Sequence, residues 1–180
     1  SREGIERVTR IVRDLKDFSY SGRGESWRRV DLHAGLESTI NIIWNELKYK
    51  VTLEREYSEL PLVECLPSEL NQVYMNLLLN AGHAIGERGT IIVSTGQQDD
   101  HVWVQFKDSG PGIAPELVKR IFDPFFTTKP VGSGTGLGLS ISYSIVNKHH
   151  GRIDVDTAPG QGTAFRVVLP VNQPITAPEA

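Results

Sequence analysis

Two asparagines stand four residues apart, at positions 76 and 80, in a segment whose apolar residues have helical spacing. This separation puts Asn76 and Asn80 on the same face of a helix, one turn apart. Asparagine is a poor helix-interior residue, because its side chain competes for backbone hydrogen bonds. Its amide oxygen is a hard, neutral ligand for Mg²⁺, which proteins usually hold with few side chains and with phosphates. The pair therefore indicates either a solvated face or a metal-assisted phosphate site.

A carboxylate and a glycine-rich turn follow a predicted strand at residues 108–113, with the sequence Asp-Ser-Gly-Pro-Gly-Ile. The two glycines permit a tight turn and the close approach of a ligand to the backbone. The carboxylate of Asp108 can accept a hydrogen bond from an amino group such as that of adenine. Taken alone, the hexapeptide is better explained as an ordinary turn at the end of a strand.

A second glycine-rich segment, residues 132–138, places glycine at every other position directly before a predicted helix. Successive backbone N–H groups and the start of a helix would then face an anion. The segment is not a Walker A loop, because no Gly-Lys-Ser/Thr follows. The spacing also differs from the dinucleotide fingerprint, and no clear βαβ unit surrounds it. It predicts an anion-binding loop of another kind.

The elements that must position these residues follow from hydrophobic periodicity and from turn residues. Asp31 is a good N-cap, Pro67 and Ser68 open the helix that carries the asparagines, and Pro115 starts a short helix. The expected helices cover residues 32–47, residues 68–85, a short stretch from 115, and a stretch from the glycine run to about 149. One strand is expected to start at residue 51, and four others are expected at residues 90–97, 101–107, 152–156 and 164–169. This order predicts an α+β fold, a two-layer sandwich in which about three helices cover one face of a mixed, mostly antiparallel sheet. An additional amphipathic helix is expected at the N-terminus, where Ile5, Val8, Val12 and Leu15 form one stripe.

Composition excludes several classes of protein. The chain has 180 residues, a net charge of −3 and a pI near 6.0, so no overall basic field attracts nucleic acid or an acidic membrane. Its single cysteine, Cys65, excludes an internal disulfide and a thiolate zinc site, and its apolar surroundings predict burial. No apolar stretch reaches the roughly 18 residues that span a bilayer, so we expect a soluble chain.

Four segments together resemble the N, G1, F and G2 boxes of sensor histidine kinases of two-component systems, which have the GHKL or Bergerat-type fold. These segments are residues 76–80, 108–112, 122–126 (Phe-Asp-Pro-Phe-Phe) and 132–138, in the order and spacing of that family. The resemblance covers about residues 27–170. It divides the chain into the second helix of the dimerisation and histidine-phosphotransfer hairpin (1–20), a linker (21–26), the catalytic ATP-binding domain (27–171) and a loose tail (172–180).

The resemblance implies an ATP site with Asn80 as the Mg²⁺ ligand, Asn76 assisting at the phosphates and Asp108 receiving the adenine amino group. Lys129 would reach the phosphates and act with both asparagines in catalysis, or would be a solvated loop lysine. His83 would face the phosphates or be a surface histidine. The other implied nucleotide-binding residues are Gly110, Gly112, Ile113, Leu137 and Thr163 around the adenine, and Thr128, Gly134, Thr135, Gly136, Gly138 and Leu139 in the lid and at the phosphates.

One residue separates the kinases from hydrolases of the same fold, which carry a general-base Glu where this chain has Asn76. Because an amide cannot take up a proton near neutral pH, the resemblance implies transfer of the ATP γ-phosphate to a histidine rather than to water. None of the five histidines has the sequence context of the family's acceptor. The acceptor is therefore expected on a hairpin helix upstream of Ser1, which would make the chain a fragment.

The implied partners are the acceptor hairpin of a homodimeric full-length protein and the aspartate of a cognate response regulator, without nucleic acid or membrane contact by this segment. The implied location is the cytoplasm, for a full-length protein that an upstream segment could anchor in the inner membrane. Two alternatives stay open: an ATPase of the shared fold, and a nucleotide-dependent interaction module without catalysis.

Overall fold

A computed structural model describes residues 24–127 and 136–175, together with residues 2, 4–6, 8, 9 and 12. The strands are β1 (Arg28–Val30), β2 (Val51–Glu56), β3 (Val63–Cys65), β4 (Gly89–Gln98), β5 (His101–Asp108), β6 (Arg152–Thr157) and β7 (Thr163–Pro170). The helices with defined bounds are α1 (Leu32–Leu47), α2 (Pro67–Ala84), α3 (Pro115–Val118) and α4 (Gly138–Lys148). The described residues between 2 and 12 are also helical.

The main sheet has five strands in the order β2-β4-β5-β7-β6. Only β2 and β4 run parallel; the other neighbours are antiparallel. The mixed, mostly antiparallel sheet predicted from the sequence is therefore confirmed. A separate ladder of β1 and β3 was not predicted, because three residues per strand are too few to show an alternating pattern.

Alternation along β5 shows which side of the sheet the helices cover. Val102, Val104 and Phe106 are buried, and the residues between them are more exposed. Asp108 ends the same buried row. Because successive side chains of a strand point to opposite faces, a carboxylate is placed at the edge of the apolar core.

The N-terminus of α2 is held by a residue far away in the sequence. Its N-cap position, Leu66, provides no side-chain hydrogen bond. Instead, the carboxylate of Glu25 accepts the backbone N–H of Ser68 at 2.9 Å and also contacts the Ser68 hydroxyl. A carboxylate is favoured at this position because the first turn of a helix has unpaired N–H groups and because the N-terminus is the positive end of the helix dipole. The segment before β1 is thereby attached to α2.

A buried histidine joins the end of α4 to the start of α2. His149 Nε2 accepts the backbone N–H of Leu66 at 3.1 Å, and Nδ1 lies 2.8 Å from the carbonyl oxygen of Ile145. These partners assign the neutral ring with its proton on Nδ1. Burial lowers the pKa of His149. The sequence located this residue only at a helix end.

Two expectations from the sequence are confirmed. Cys65 is buried, and burial raises the pKa of its thiol to about 12. The N-terminal helix is present at residues 2, 4–6, 8, 9 and 12, and its apolar residues Ile5, Val8 and Val12 are all more than half exposed. Among the described helices, none combines the length and apolarity needed to cross a membrane.

Candidate functional site

One end of the candidate site is formed by the paired residues Asp108 on β5 and Thr163 on β7, both buried. Asp108 Oδ1 accepts the backbone N–H of Gly110 at 2.8 Å. Oδ2 is buried and has no hydrogen bond of normal geometry to any residue in the described ranges. Burial raises the pKa of the Asp108 carboxyl, an effect that the backbone N–H groups of Gly110 and Thr163 oppose. A buried acceptor without a donor is costly, and a ligand amino group could satisfy it.

Glycines surround this carboxylate because no side chain would fit. A Cβ at Gly110 would lie 2.8 Å from a carbonyl oxygen at the end of α2. A Cβ at Gly112, whose φ is +77°, would lie 2.1 Å from the carbonyl oxygen of Ala158. At Gly162, with φ +73°, it would lie 2.1 Å from the carbonyl oxygen of Asp108. The 109–113 loop and the turn before β7 are thus in direct backbone contact.

Thr157, which was not a candidate from the sequence, connects these two loops by hydrogen bonds. Its hydroxyl accepts the backbone N–H of Ile113 at 2.9 Å and donates to the carbonyl oxygen of Gly162 at 3.0 Å. It also lies 2.9 Å from the hydroxyl of Thr163. The only available signal was a threonine at an inward position of β6 beside a turn. Ile113 and Thr163, both predicted near adenine, are therefore positioned by one hydroxyl.

The Asn76 side chain connects α2 to the first turns of α4. Its Nδ2 donates to the carbonyl oxygen of Gly138 at 3.1 Å and lies 3.2 Å from Ser142 Oγ. Its Oδ1 accepts from Gln72 Nε2 at 3.0 Å. Ser142 Oγ in turn donates to the carbonyl oxygen of Gly138 at 2.8 Å. Neither Gln72 nor Ser142 was a candidate from the sequence.

Asn80 lies one turn further along α2 and is half-buried. Within residues 24–127 and 136–175 its amide makes no hydrogen bond, so its oxygen is available to a ligand. His83 is exposed in the last turn of the same helix. In the described part of the chain, no cluster of three or more His, Cys, Asp or Glu side chains could hold a metal ion. A Mg²⁺ ion held by Asn80 would therefore depend on phosphate oxygens for its other ligands, as is usual for this ion.

The end of the glycine run is attached to the Phe-Asp-Pro-Phe-Phe segment. Gly136 has φ +73°, and a Cβ there would lie 2.3 Å from the carbonyl carbon of Phe125. Its carbonyl oxygen accepts the Phe125 N–H at 2.9 Å. Leu137 is buried in the hydrophobic core, Leu139 is half-buried, and Gly138 begins α4. Four further candidates, Thr128, Lys129, Gly134 and Thr135, lie outside the described residues.

Residues 65–173 match the family described as histidine kinase-, DNA gyrase B-, and HSP90-like ATPase. The signal transduction histidine-protein kinase AtoS of Escherichia coli (strain K12) is 39% identical over 171 residues. That alignment covers 93% of this chain and 28% of AtoS. The chain thus spans little more than a quarter of this relative's length.

Solved structures of the histidine kinase ThkA and of ShkA have the same fold. The catalytic domain of ThkA superposes with a TM-score of 0.74 at 31% identity, covering 82% of this chain and 97% of that domain. The structure of ThkA in complex with the response regulator protein TrrA superposes with a TM-score of 0.75 at 27% identity, covering 91% of this chain and 48% of that chain. Full-length ShkA in complex with AMPPNP superposes with a TM-score of 0.80 at 25% identity, covering 97% of this chain and 38% of that chain.

Proposed function

From the premise that this chain belongs to the family of histidine kinase-, DNA gyrase B-, and HSP90-like ATPases, as a catalytic ATP-binding domain of the histidine kinase type, we propose the reaction that it performs. The γ-phosphate of ATP passes to a histidine on the hairpin helix that precedes this domain in the full-length protein. From there it passes to an aspartate of a response regulator.

Adenine recognition is the step that the geometry supports best. Oδ2 of Asp108 is a buried acceptor with no hydrogen bond of normal geometry from the described residues, at a position where Gly110 and Gly112 keep the backbone close. The exocyclic amino group of adenine would supply the missing hydrogen bond. Guanine has a carbonyl oxygen at that ring position and would face the carboxylate with like partial charge. The site is therefore specific for ATP over GTP.

The phosphates would extend from this pocket along α2 towards Asn80. Its amide oxygen, available within the described ranges, would be the protein ligand of Mg²⁺. Mg²⁺ bound there would neutralise phosphate charge during transfer. His83, in the last turn of the same helix, is an exposed residue at the end of α2 nearest the Asp108 loop. We propose Thr128, Lys129, Gly134 and Thr135 as the further phosphate contacts.

The position of Asn76 supports transfer rather than hydrolysis. Its amide has no affinity for a proton near neutral pH, so it cannot act as general base for water. Its contacts with Gly138 and Ser142 give it a different role, which is to hold the start of α4 against α2. ATP bound here would await the acceptor histidine.

The partners follow from the same reaction. ThkA has been seen in complex with a response regulator, and the proposed transfer requires a cognate regulator for this chain as well. The acceptor hairpin would form a homodimer in the full-length protein, and the N-terminal helical residues would be its second helix. The domain would act in the cytoplasm, where ATP is supplied.

The test combines this chain with a purified acceptor hairpin and ATP labelled in the γ-phosphate. We expect acid-labile label on the hairpin, and none on a hairpin whose acceptor histidine is replaced by glutamine. Steady release of inorganic phosphate without a hairpin would indicate an ATPase instead. Tight binding of ATP with neither transfer nor release would indicate a non-catalytic interaction module.

A further inference from the structure

Three paired residues form one row across the end of the main sheet. Asp108 on β5 pairs with Thr163 on β7, and Thr163 pairs in turn with Thr157 on β6. Residues that pair directly across neighbouring strands point to the same face of a sheet, with Cβ atoms about 4.5–5.5 Å apart. This is the face that the helices cover, because Asp108 ends the buried row of β5. Thr157 therefore lies two strands away from the proposed adenine acceptor, in the same row.

The hydroxyl of Thr157 uses its one proton and both lone pairs. The carbonyl oxygen of Gly162 lies 3.0 Å away and can only accept, so Thr157 donates to it. The backbone N–H of Ile113 lies 2.9 Å away and can only donate, so Thr157 accepts from it. The remaining neighbour is the hydroxyl of Thr163, at 2.9 Å. Thr163 must be the donor in that contact, because the proton of Thr157 is already used.

These bonds fix the Thr163 hydroxyl as an acceptor for any further group. Its proton points to Thr157, so only its lone pairs remain. In the paired position, Oδ2 of Asp108 is also an acceptor and has no hydrogen bond of normal geometry from the described residues. Two neighbouring acceptors favour a ligand edge that carries hydrogen-bond donors, and they disfavour a ligand carbonyl oxygen.

The same hydroxyl fixes the 109–113 loop through Ile113. Ile113 is half-buried, and the family resemblance implies that it lies beside the adenine. The carbonyl oxygen of Pro111 accepts the N–H of Gly160 at 2.7 Å, and the Thr157 hydroxyl accepts the N–H of Ile113. Of these two bonds, the second depends on a side chain. It can therefore be removed by a substitution that leaves the backbone of both loops unchanged.

We propose that Thr157 is a positioning residue for adenine recognition, which holds the Thr163 hydroxyl as an acceptor beside Asp108 and keeps Ile113 in place as one wall. The proposal rests on the function proposed above, because it assumes that Asp108 receives the adenine amino group. The 6-amino group of the purine is then recognised by two acceptors. One of them is oriented by a residue that does not contact the nucleotide.

The test compares ATP with inosine triphosphate, which carries a carbonyl oxygen in place of the 6-amino group. Calorimetric titration of the whole chain with ATP, alone and in competition with inosine triphosphate, gives both affinities. In Thr157→Val, which removes the hydroxyl at nearly constant volume, the ratio of the two affinities should fall by about 2- to 12-fold, the equivalent of one hydrogen bond. The reason is that the released Thr163 hydroxyl can rotate and donate to the carbonyl oxygen. Thr157→Ser keeps the hydroxyl and should keep the wild-type ratio.

Thr95→Val is the matched control, because the Thr95 hydroxyl also holds a segment outside its own strand. It accepts the backbone N–H of Ser58 at 3.1 Å and lies 2.8 Å from Nε2 of His33. Thr95 lies on β4 opposite a residue four positions before Asp108, away from the adenine site. Both valine variants should lower the free energy of unfolding in urea, but only Thr157→Val should lower the affinity ratio. A general loss of structure would instead weaken both nucleotides alike.

The possible results separate this proposal from the proposed function. An equal affinity ratio in wild type and Thr157→Val, or an equal fall of the ratio in Thr95→Val, would overturn the role of Thr157 alone. Equal affinities of the wild type for the two nucleotides would overturn the adenine assignment and this role together. The readout is binding, so a failure of phosphate transfer to the hairpin, which would count against the proposed reaction, does not alter these results.

Discussion

The side-chain amide nitrogen of Asn76 lies 3.1 Å from the carbonyl oxygen of Gly138, so the middle of α2 is fastened to the first residue of α4. The two residues are 62 positions apart and belong to two separate sequence motifs. One motif carries the proposed metal ligand, and the other follows the proposed phosphate loop. The contact therefore sets the distance between the two halves of the phosphate site.

Asn76→Ala should lower the free energy of unfolding by about 1–3 kcal/mol, because Gln72 and Ser142 lose a half-buried hydrogen-bond partner. Urea denaturation measures this change. Asn45→Ala, on the exposed side of α1, is the matched control and should change stability little. A double-mutant cycle of Asn76→Ala and Ser142→Ala should show a coupling energy of at least about 0.5 kcal/mol between the two side chains. Additive effects would mean that the contact between the Asn76 and Ser142 side chains contributes nothing to stability.

Asp108→Asn should weaken ATP binding on the order of tenfold or more, because the new amide N–H would face the adenine amino group. Stability should not fall, since burial already penalises the charged carboxylate. Calorimetric titration with ATP and urea denaturation give the two readouts. Asp156→Asn, an exposed residue of β6, is the control and should bind ATP as wild type does. Wild-type affinity in Asp108→Asn would contradict the adenine assignment.

Asn80→Ala should remove the part of the ATP affinity that depends on Mg²⁺. In the presence of EDTA the variant and the wild type should bind ATP alike, because only the metal ligand is lost. Titrations with and without Mg²⁺ measure the difference, again with Asn45→Ala as control. If Mg²⁺ strengthens ATP binding equally in Asn80→Ala and wild type, the metal assignment is wrong.

Gly160 and Gly162 provide a matched pair within one turn, with φ values of +78° and +73°. A Cβ at Gly160 meets nothing within 4 Å, whereas one at Gly162 would lie 2.1 Å from the carbonyl oxygen of Asp108. Gly160→Ala should lower the free energy of unfolding by roughly 1–2 kcal/mol, because alanine is strained in the left-handed backbone conformation. Gly162→Ala should cost clearly more and also weaken ATP binding. Equal melting temperatures for the two variants would refute this steric explanation.

His149 should make stability depend on pH. Its folded pKa is lowered by burial from an unfolded value near 6.5, so the unfolded chain binds a proton more readily. The contribution of His149 to the free energy of unfolding is complete above about pH 6.5 and is lost as pH falls towards the folded pKa. Between pH 6.5 and 5.5 this loss should be up to about 1 kcal/mol. Urea denaturation at several pH values measures it. His149→Gln should flatten this dependence.

The sequence by itself determined the local elements and the family. Helix α2 could be placed because Leu70, Val73 and Leu77 recur with helical spacing after Pro67, and the hairpin of β4 and β5 because apolar and polar residues alternate. The order of the asparagines, the Asp108 turn and the glycine run was sufficient to recognise a histidine kinase domain. These signals are local, so each can be read within a window of a few residues.

Only the tertiary structure decided how those motifs meet. The contacts of Asn76 with Gly138, of His149 with Leu66 and of Gly162 with Asp108 join residues that are far apart in the chain. Packing also leaves one oxygen of Asp108 and the hydroxyl of Tyr74 without a hydrogen-bond partner among the described residues. A hydrogen bond or a steric contact depends on distance in space, and no periodic pattern along the chain encodes that distance. The sequence therefore predicted the parts of the nucleotide site, and the packing of α2 against α1, α4 and the sheet determined their arrangement.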